Sequence, residues 1–194
     1  LNPNLGDHDS FISVAEQLKN HNINVPKIIS HHPTIGVTIQ NDLGDDDLIS
    51  LMNDQNREFL INKSIDLLVD IHKADIEGLV HLSSSDLKDQ MNKFKYIFCE
   101  RFLDISADGL VNDLIMNALD NLQECPKNNC HFDFERRNLI LDEHNEVNVI
   151  DFQDMCIAPI GIDIAGILLD HYMSFDRSTI QKDLKYFLDH SYIS

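Results

Sequence analysis

The chain has 194 residues, enough for one sizeable domain or for one lobe and part of a second. Its hydrophobic content of 43% and charged content of 25% are ordinary for a globular protein, but a formal net charge of −18 argues against nucleic acid or an anionic membrane as a partner. The sequence contains no apolar run of the ~20 residues that span a bilayer and no visible signal peptide, so we expect a cytoplasmic protein.

The first predicted elements are a helix and two short strands. Apolar residues at helical spacing predict a helix over residues 11–20, with Asp9 or Ser10 as its N-cap. Two β-rich runs, at residues 25–29 and 37–40, predict short strands of a small sheet.

Downstream of these strands the pattern is mostly helical. Residues 56–72 place apolar side chains on one stripe and predict an amphipathic helix, with His72 as a packed or capping residue near its end. Four further helices are predicted at residues 94–102, 110–122, 162–172 and 179–190.

The four cysteines are interpreted as reduced thiols of a cytosolic protein. Cys125-x4-Cys130-His131 leaves a zinc site as an alternative. The spacing is poor for zinc and no second ligand pair lies nearby in the sequence.

The most informative segment is residues 131–163, called the catalytic block below. Asp133 follows His131 by two residues, Asn138 follows Asp133 by five, and Asp151 ends a second apolar run. Kinases use a carboxylate to hold the attacking hydroxyl, and an Asn and an Asp to hold Mg²⁺ against the nucleotide phosphates. The spacing is therefore typical of a phosphoryl-transfer site.

A predicted β-hairpin brings these side chains together. Residues 138–141 and 147–150 read as two strands joined by a polar turn. Because the open ends of a hairpin meet, Asn138 and Asp151 should be neighbours, with Asp133 beside them on the loop that enters the first strand. Each residue alone would be an ordinary surface group, but together they form an all-oxygen site suited to Mg²⁺.

The catalytic block resembles the aminoglycoside phosphotransferase and choline kinase-like superfamily, whose members are relatives of protein kinases. Within it, Val-Ile-Asp-Phe-Gln-Asp at residues 149–154, with Pro159 and residues 168–170 beyond, is most similar to bacterial cell-wall kinases. Those enzymes phosphorylate the anomeric hydroxyl of N-acetylmuramate or N-acetylglucosamine. Residues 11–26 and 36–44 also look like family segments, so the resemblance covers most of the chain.

The resemblance implies an α+β, protein kinase-like fold of two lobes. Residues 1–43 would form a truncated N-terminal lobe and the hinge, and residues 44–194 a mostly helical C-terminal lobe. ATP and Mg²⁺ would be the cofactors, and the acceptor would be a small molecule, an amino sugar. The hinge residues whose backbone would bind adenine are Gln40, Asn41, Asp42 and Leu43. Without the resemblance, this segment is only a turn.

The resemblance also assigns roles within the catalytic block. Asp133 would be the catalytic carboxylate, and Asn138 and Asp151 the metal ligands. Asp154 would contact the sugar. The supporting residues would be His131, which braces the catalytic loop, and Asp163, a buried anchor of that loop.

Two usual features of kinase-like folds are not visible. No glycine-rich loop precedes residue 36, and the first lysine is Lys19, near the end of the first predicted helix. If the usual first strands are missing, Ile28, Val37 and Ile39 should lose their cover.

Because these features are not visible, the alternative function is an inactive or truncated remnant that acts as a binding module. Retention of all three catalytic-block residues argues against this alternative.

Overall fold

The computed structural model describes residues 8–169 and 175–191. Its first helix, α1, spans His8–Asn20 and so begins before the predicted start at residue 11. The predicted N-cap residues, Asp9 and Ser10, lie inside this helix, and that prediction is wrong. Asp and Ser also suit the first turn of a helix, so their presence does not define its boundary.

The N-terminal sheet consists of two antiparallel strands, β1 (Ile28–His32) and β2 (Val37–Gln40). The second strand matches its prediction, but the first was predicted at residues 25–29 and begins only after Pro26. Proline has no N–H to donate to a strand ladder, which explains the shift. The connection ends at Gly36, whose φ of 64° is readily available to glycine.

Two helices follow the N-terminal sheet. The short helix α2 (Leu48–Leu51) is capped by Asp47, whose carboxylate accepts the N–H of Ser50 at 2.7 Å. The long helix α3 (Arg57–Lys73) confirms the helix predicted at residues 56–72. Its buried face includes Leu60, Ile61, Ile65, Leu68 and Ile71.

A helical segment that the sequence analysis only partly predicted comes next. Helix α4 (Ser84–Lys93) was not predicted, although Ser83 and Asp86 form a reciprocal capping box at its start. It continues into a π-helix at Phe94–Phe102, the same residues for which a helix was predicted. Helix α5 (Leu110–Glu124) then runs slightly beyond its predicted end.

The remaining strands frame the catalytic block. β4 (Lys127–Cys130) is antiparallel to β7 (Cys156–Pro159), which also pairs in parallel with β3 (Val80–His81). β5 (Leu139–Leu141) and β6 (Val147–Val149) form the predicted hairpin. The loop with Asp133 therefore connects β4 to β5, and Asp151 lies between β6 and β7.

Two helices close the described chain. Helix α6 spans Gly161–Leu168, whereas residues 162–172 were predicted, and residues 170–172 of that prediction lie outside the described residues. The sequence after Leu168 has no glycine or proline to mark a helix end. Helix α7 (Arg177–His190) begins two residues before its predicted start because Asp176 caps it.

One continuous hydrophobic core joins most of these elements. Buried side chains from α1, α3, the hairpin, α6 and α7 belong to it, among them Leu18, Ile65, Val149, Ile167 and Phe187. Burial of this apolar surface is what holds the hairpin against the helices.

The cysteines agree with the interpretation as reduced thiols. All four are free, and Cys99, Cys130 and Cys156 are buried. No helix in the described part of the chain combines the length and apolar character needed to cross a membrane.

Candidate active site

The loop that carries Asp133 is held by the buried carboxylate of Asp163 on α6. One oxygen accepts the backbone N–H of His131 at 2.6 Å, and the other accepts that of Phe132 at 2.8 Å. These bonds oppose the cost of the left-handed conformation of Phe132, whose φ is 73°. Burial raises the pKa of Asp163 to about 7, while the two amide donors act in the opposite direction. Asp163 thus has the contacts expected of a loop anchor.

His131 ties the same loop to the far strand of the hairpin. Its Nδ1 accepts the N–H of Asp133 at 3.3 Å, so the ring proton is on Nε2, which donates to the carbonyl of Ile150 at 2.9 Å. Burial is the main reason that the pKa of His131 is lowered, which keeps the ring neutral. His131 therefore has the bracing contacts expected from the sequence.

Asp133 and Asn138 are in direct contact. The Nδ2 group of Asn138 donates to the Asp133 carbonyl at 2.8 Å and to its carboxylate Oδ2 at 2.9 Å. Asn138 is buried, whereas the Asp133 side chain is 38% exposed. The buried amide of Asn138 thus holds the Asp133 carboxylate in place. The exposed part of that carboxylate remains accessible to solvent or to a ligand.

Arg137 also contacts the Asp133 carboxylate. Its Nη2 lies 2.9 Å from Oδ2 and 3.2 Å from Oδ1, and its Nε lies 3.3 Å from Glu135 Oε2. Arg137 was not among the site residues predicted from the sequence. The available signal was its position, four residues after Asp133 and directly before Asn138.

Asp151 lies at the open end of the hairpin, as predicted. The N–H of Ile150 donates to the carbonyl of Asn138 at 3.0 Å, which joins the two strand ends. Asp151 itself has a φ of 65° and leads into a 3₁₀ turn at Phe152–Asp154. Phe152 stacks on Phe11 of α1 at 4.8 Å between ring centroids, so the backbone at Asp151 is anchored to the first helix.

The four predicted hinge residues are divided between two cavities. Gln40 shares a cavity of about 230 Å³ with Asp151. Asn41, Asp42 and Leu43 line another cavity of about 570 Å³, together with residues 141–144 of the hairpin. The backbone N–H of Asn41 already donates to the carbonyl of Lys27 at 3.0 Å.

The larger cavity is strongly acidic. Its lining includes Asp42, Asp46, Asp142 and Glu143. Bare phosphate groups would be repelled there. The cavity shared by Gln40 and Asp151 is the better candidate for the route toward the phosphates.

Asp154, the predicted sugar contact, is exposed at the last residue of the 3₁₀ turn that follows Asp151. Asp154 thus follows Asp151, at the open end of the hairpin, by three residues in the sequence.

His72 is a buried residue whose environment the sequence did not reveal. In the described parts of the chain, neither of its ring nitrogens has a hydrogen-bond partner. The ring packs edge-on against Phe187, and burial lowers its pKa to about 4. A ring nitrogen, the Cys130 thiol and the Asp163 carboxylate lie within 4.8 Å of one another. His72 is therefore a packed residue beneath the loop anchor, and Ala74 takes the cap position.

Comparison with known proteins assigns the chain to a family. A model of the phosphotransferase enzyme family, abbreviated APH, matches residues 5–189. The chain belongs to this phosphotransferase family. The match extends over α1, the catalytic block and α7, so the resemblance stated from sequence is confirmed.

Two curated relatives of this phosphotransferase-family chain are named N-acetylmuramate/N-acetylglucosamine kinase. The protein from Pseudomonas aeruginosa is 25% identical over 183 residues, which are 90% of this chain and 53% of that protein. The protein from Neisseria meningitidis is 28% identical over 182 residues, which are 87% of this chain and 54% of that protein. The chain thus spans about half the length of these relatives.

The fold matches that of solved kinases. Choline kinase LicA from Streptococcus pneumoniae aligns with a TM-score of 0.66 at 16% identity, over 98% of this chain and 65% of that chain. LicA in complex with AMP aligns with a TM-score of 0.69. The predicted α+β, kinase-like fold class is confirmed.

Proposed function

We propose that the protein uses ATP and Mg²⁺ to transfer a phosphoryl group to a hydroxyl of an amino sugar. The observation that carries this proposal is the double role of Asn138. Its side chain holds the Asp133 carboxylate at 2.9 Å, and its carbonyl accepts the N–H of the residue before Asp151 at 3.0 Å. One residue thus links the two carboxylates that a kinase needs.

Asp133 is proposed to act on the acceptor. Its partly exposed carboxylate would accept the hydroxyl proton while the hydroxyl oxygen bonds to the γ-phosphorus of ATP. The bond between that phosphorus and the β–γ bridging oxygen would break, and ADP would leave. Positioning and charge stabilisation supply most of the catalysis in such reactions.

Asn138 and Asp151 are proposed to hold Mg²⁺. Because Nδ2 of Asn138 donates to Asp133, its Oδ1 remains for a cation. The exposed Asp151 carboxylate belongs to the lining of the 230 Å³ cavity. These are the oxygen ligands that Mg²⁺ prefers, and bound Mg²⁺ would neutralise charge on the nucleotide phosphates.

The nucleotide is proposed to extend from the hinge toward Asp151. Gln40 and Asp151 line the same cavity, which supports this direction. The backbone of residues 40–43 would contact the adenine, with a lobe boundary near residue 43. Since the N–H of Asn41 is already bonded to Lys27, the contacts would come from the other hinge groups.

The acceptor proposal comes from the names of the two curated relatives and from the resemblance at residues 149–154. It places phosphorylation at the anomeric hydroxyl, with Asp154 near the sugar. Full-length protein with Mg-ATP should phosphorylate N-acetylmuramate or N-acetylglucosamine, and a methyl glycoside with a blocked reducing end should be inert. Phosphorylation of the methyl glycoside as fast as the free sugar would refute the anomeric assignment. Reaction with aminoglycosides alone would refute the assignment to N-acetylmuramate and N-acetylglucosamine and leave the kinase proposal standing.

A further inference from the structure

Within residues 131–154, all of which the structure describes, Arg137 is the accessible cation in contact with Asp133. Residues 131–154 contain two arginines, no lysine and two histidines. Arg136 and His131 are buried, and His144 lies on the turn at the far end of the hairpin. The side chain of Arg137 is 46% exposed. Within this segment, an acidic group on a bound acceptor would therefore meet Arg137.

The contacts of Arg137 define where that acceptor would lie. The two shorter contacts to the Asp133 carboxylate, from Arg137 and from Asn138, are both 2.9 Å and both go to Oδ2. Oδ1 receives the longer contact of 3.2 Å. Oδ1 is therefore the less tightly held oxygen of the carboxylate, and an acceptor hydroxyl bound there would lie next to the guanidinium.

Because the surrounding protein is negatively charged, an acidic ligand would need the positive charge of Arg137 in order to bind. The chain carries a formal charge of −18, and Arg137 is flanked by the carboxylates of Asp133 and Glu135. An acidic acceptor without a cationic partner would be repelled, while a neutral sugar would not. The planar guanidinium also matches a carboxylate in a way that an ammonium group does not.

We propose that Arg137 is a specificity-determining residue that binds the acid group of an acidic amino sugar. This proposal rests on the proposed function and names the acceptor class of that site as sugars with a carboxylate close to the reacting ring. N-acetylmuramate carries such a carboxylate and N-acetylglucosamine lacks it. The two sugars therefore form a matched pair of ligands.

Binding is the appropriate measurement, because Arg137 also holds Asp133 and its loss would slow turnover with any acceptor. In the Arg137→Gln variant we expect the Kd for N-acetylmuramate to rise about tenfold or more, which is ~1.4 kcal/mol. The Kd for N-acetylglucosamine should change by less than about twofold. Arg137→Lys keeps the charge and loses the planar fork, so its Kd for N-acetylmuramate should be intermediate.

The experiment is calorimetric titration of both sugars into the full-length protein with a non-hydrolysable Mg-ATP analogue. Lys185→Gln is the charge-matched control, because Lys185 pairs with Asp189 on the exposed surface of α7 and should alter neither affinity. A selective loss of N-acetylmuramate affinity in Arg137→Gln supports the proposal. Equal losses for both sugars, no loss, or a wild-type protein that binds only N-acetylglucosamine would overturn the role of Arg137 and leave the proposed function intact. A wild-type protein that binds neither sugar would overturn the amino-sugar function as well.

Discussion

The catalytic block and the N-terminal sheet are stabilised in different ways. In the catalytic block, the anchor Asp163 and the hairpin residue Val149 are buried, and the backbone N–H groups of His131 and Phe132 are paired with the Asp163 carboxylate. In the N-terminal sheet, Val37 and Ile39 are 41% and 48% exposed. The residues proposed to carry the chemistry therefore lie in the better packed of the two regions. Its hydrogen bonds are formed within the described chain.

The sequence prediction about the N-terminal sheet was partly right. Val37 and Ile39 lack cover, as predicted, but Ile28 is partly buried because it packs against the main core. Ile28 is therefore supported by the core, whereas Ile29 of β1, Ile35 of the connection and both β2 residues leave apolar surface exposed. We expect that exposed surface to favour association with other molecules.

The largest effect should come from a change at the proposed catalytic carboxylate. Asp133→Asn keeps the shape of the side chain but removes the charge that would accept the acceptor proton. Turnover by the full-length protein should fall about 10³-fold, or ~4 kcal/mol, with little change in nucleotide affinity. Asp89→Asn on the exposed face of α4 is the matched control and should retain normal turnover. Normal turnover in Asp133→Asn would mean that this carboxylate does not act in the chemistry.

The next largest effect should be a pH dependence of the unfolding free energy that arises from the buried His72. His72 has a folded-state pKa of about 4 against an ordinary value of 6.5 because burial disfavours the charged ring. The unfolded chain therefore binds the proton first, and His72 should cost ~3 kcal/mol of stability as the pH falls from 7 to 4. The nearby Asp163 has a raised pKa and acts in the opposite sense over this range.

The contribution of His72 is isolated by comparison with a variant. Chemical denaturation of wild type and His72→Leu at several pH values gives the difference in unfolding free energy. That difference should move by ~3 kcal/mol in favour of the variant between pH 7 and pH 4. A difference that stays constant with pH would show that His72 is not held neutral by burial.

A smaller effect on stability should follow when a side chain is added at Gly166 of α6, where the helix packs against the catalytic loop. A Cβ added at Gly166 would lie 2.8 Å from the backbone oxygen of Phe134. Gly166→Ala should therefore destabilise the fold by about 2 kcal/mol. Gly161→Ala in the same helix is the control, since its Cβ would meet only the Cys125 sulfur at an ordinary 3.6 Å. Equal thermal stabilities of the two variants would show that α6 and the loop are not closely packed there.

The smallest effect should come from the N-terminal sheet. Ile39→Thr changes an exposed strand residue and should alter the unfolding free energy by less than ~0.5 kcal/mol. The same type of change in the buried hairpin, Val149→Thr, should cost ~2 kcal/mol because a hydroxyl enters the core. Similar costs at the two positions, measured by denaturant titration, would remove the contrast between the regions.

The parts of the fold that were predictable are those with strong local signals. The hairpin was recognisable because two apolar runs flank a polar turn, and hairpin geometry then brought Asn138 near Asp151. The first strand was predicted too early because the residues around Pro26 favour β-structure. The absence of an N–H on Pro26, which disfavours a strand there, was given too little weight. Helix α4 was missed although its capping box, Ser83 and Asp86, was readable in the sequence.

Other features depend on contacts between distant segments, which a single sequence does not show. The stacking of Phe11 on Phe152 joins α1 to the turn after Asp151 across most of the chain. The environment of His72 depends on Phe187 and on the loop anchor. Arg137 was overlooked although it follows Asp133 by four residues, because that spacing predicts a contact in a helix and residues 133–135 form a loop.

The most direct test of the central claim separates the two carboxylates of the proposed site. Mn²⁺ can replace Mg²⁺, and binding of Mn-ATP to the full-length protein is measurable by its enhancement of water-proton relaxation. Asp133→Asn and Asp151→Asn make the same chemical change in the same catalytic block. The proposed roles predict that Asp133→Asn binds Mn-ATP like wild type and that Asp151→Asn loses about tenfold or more in affinity, because only Asp151 would be a metal ligand. Unchanged binding in Asp151→Asn, or an equal loss in both variants, would contradict the division of the site into a metal ligand and an acceptor-binding carboxylate.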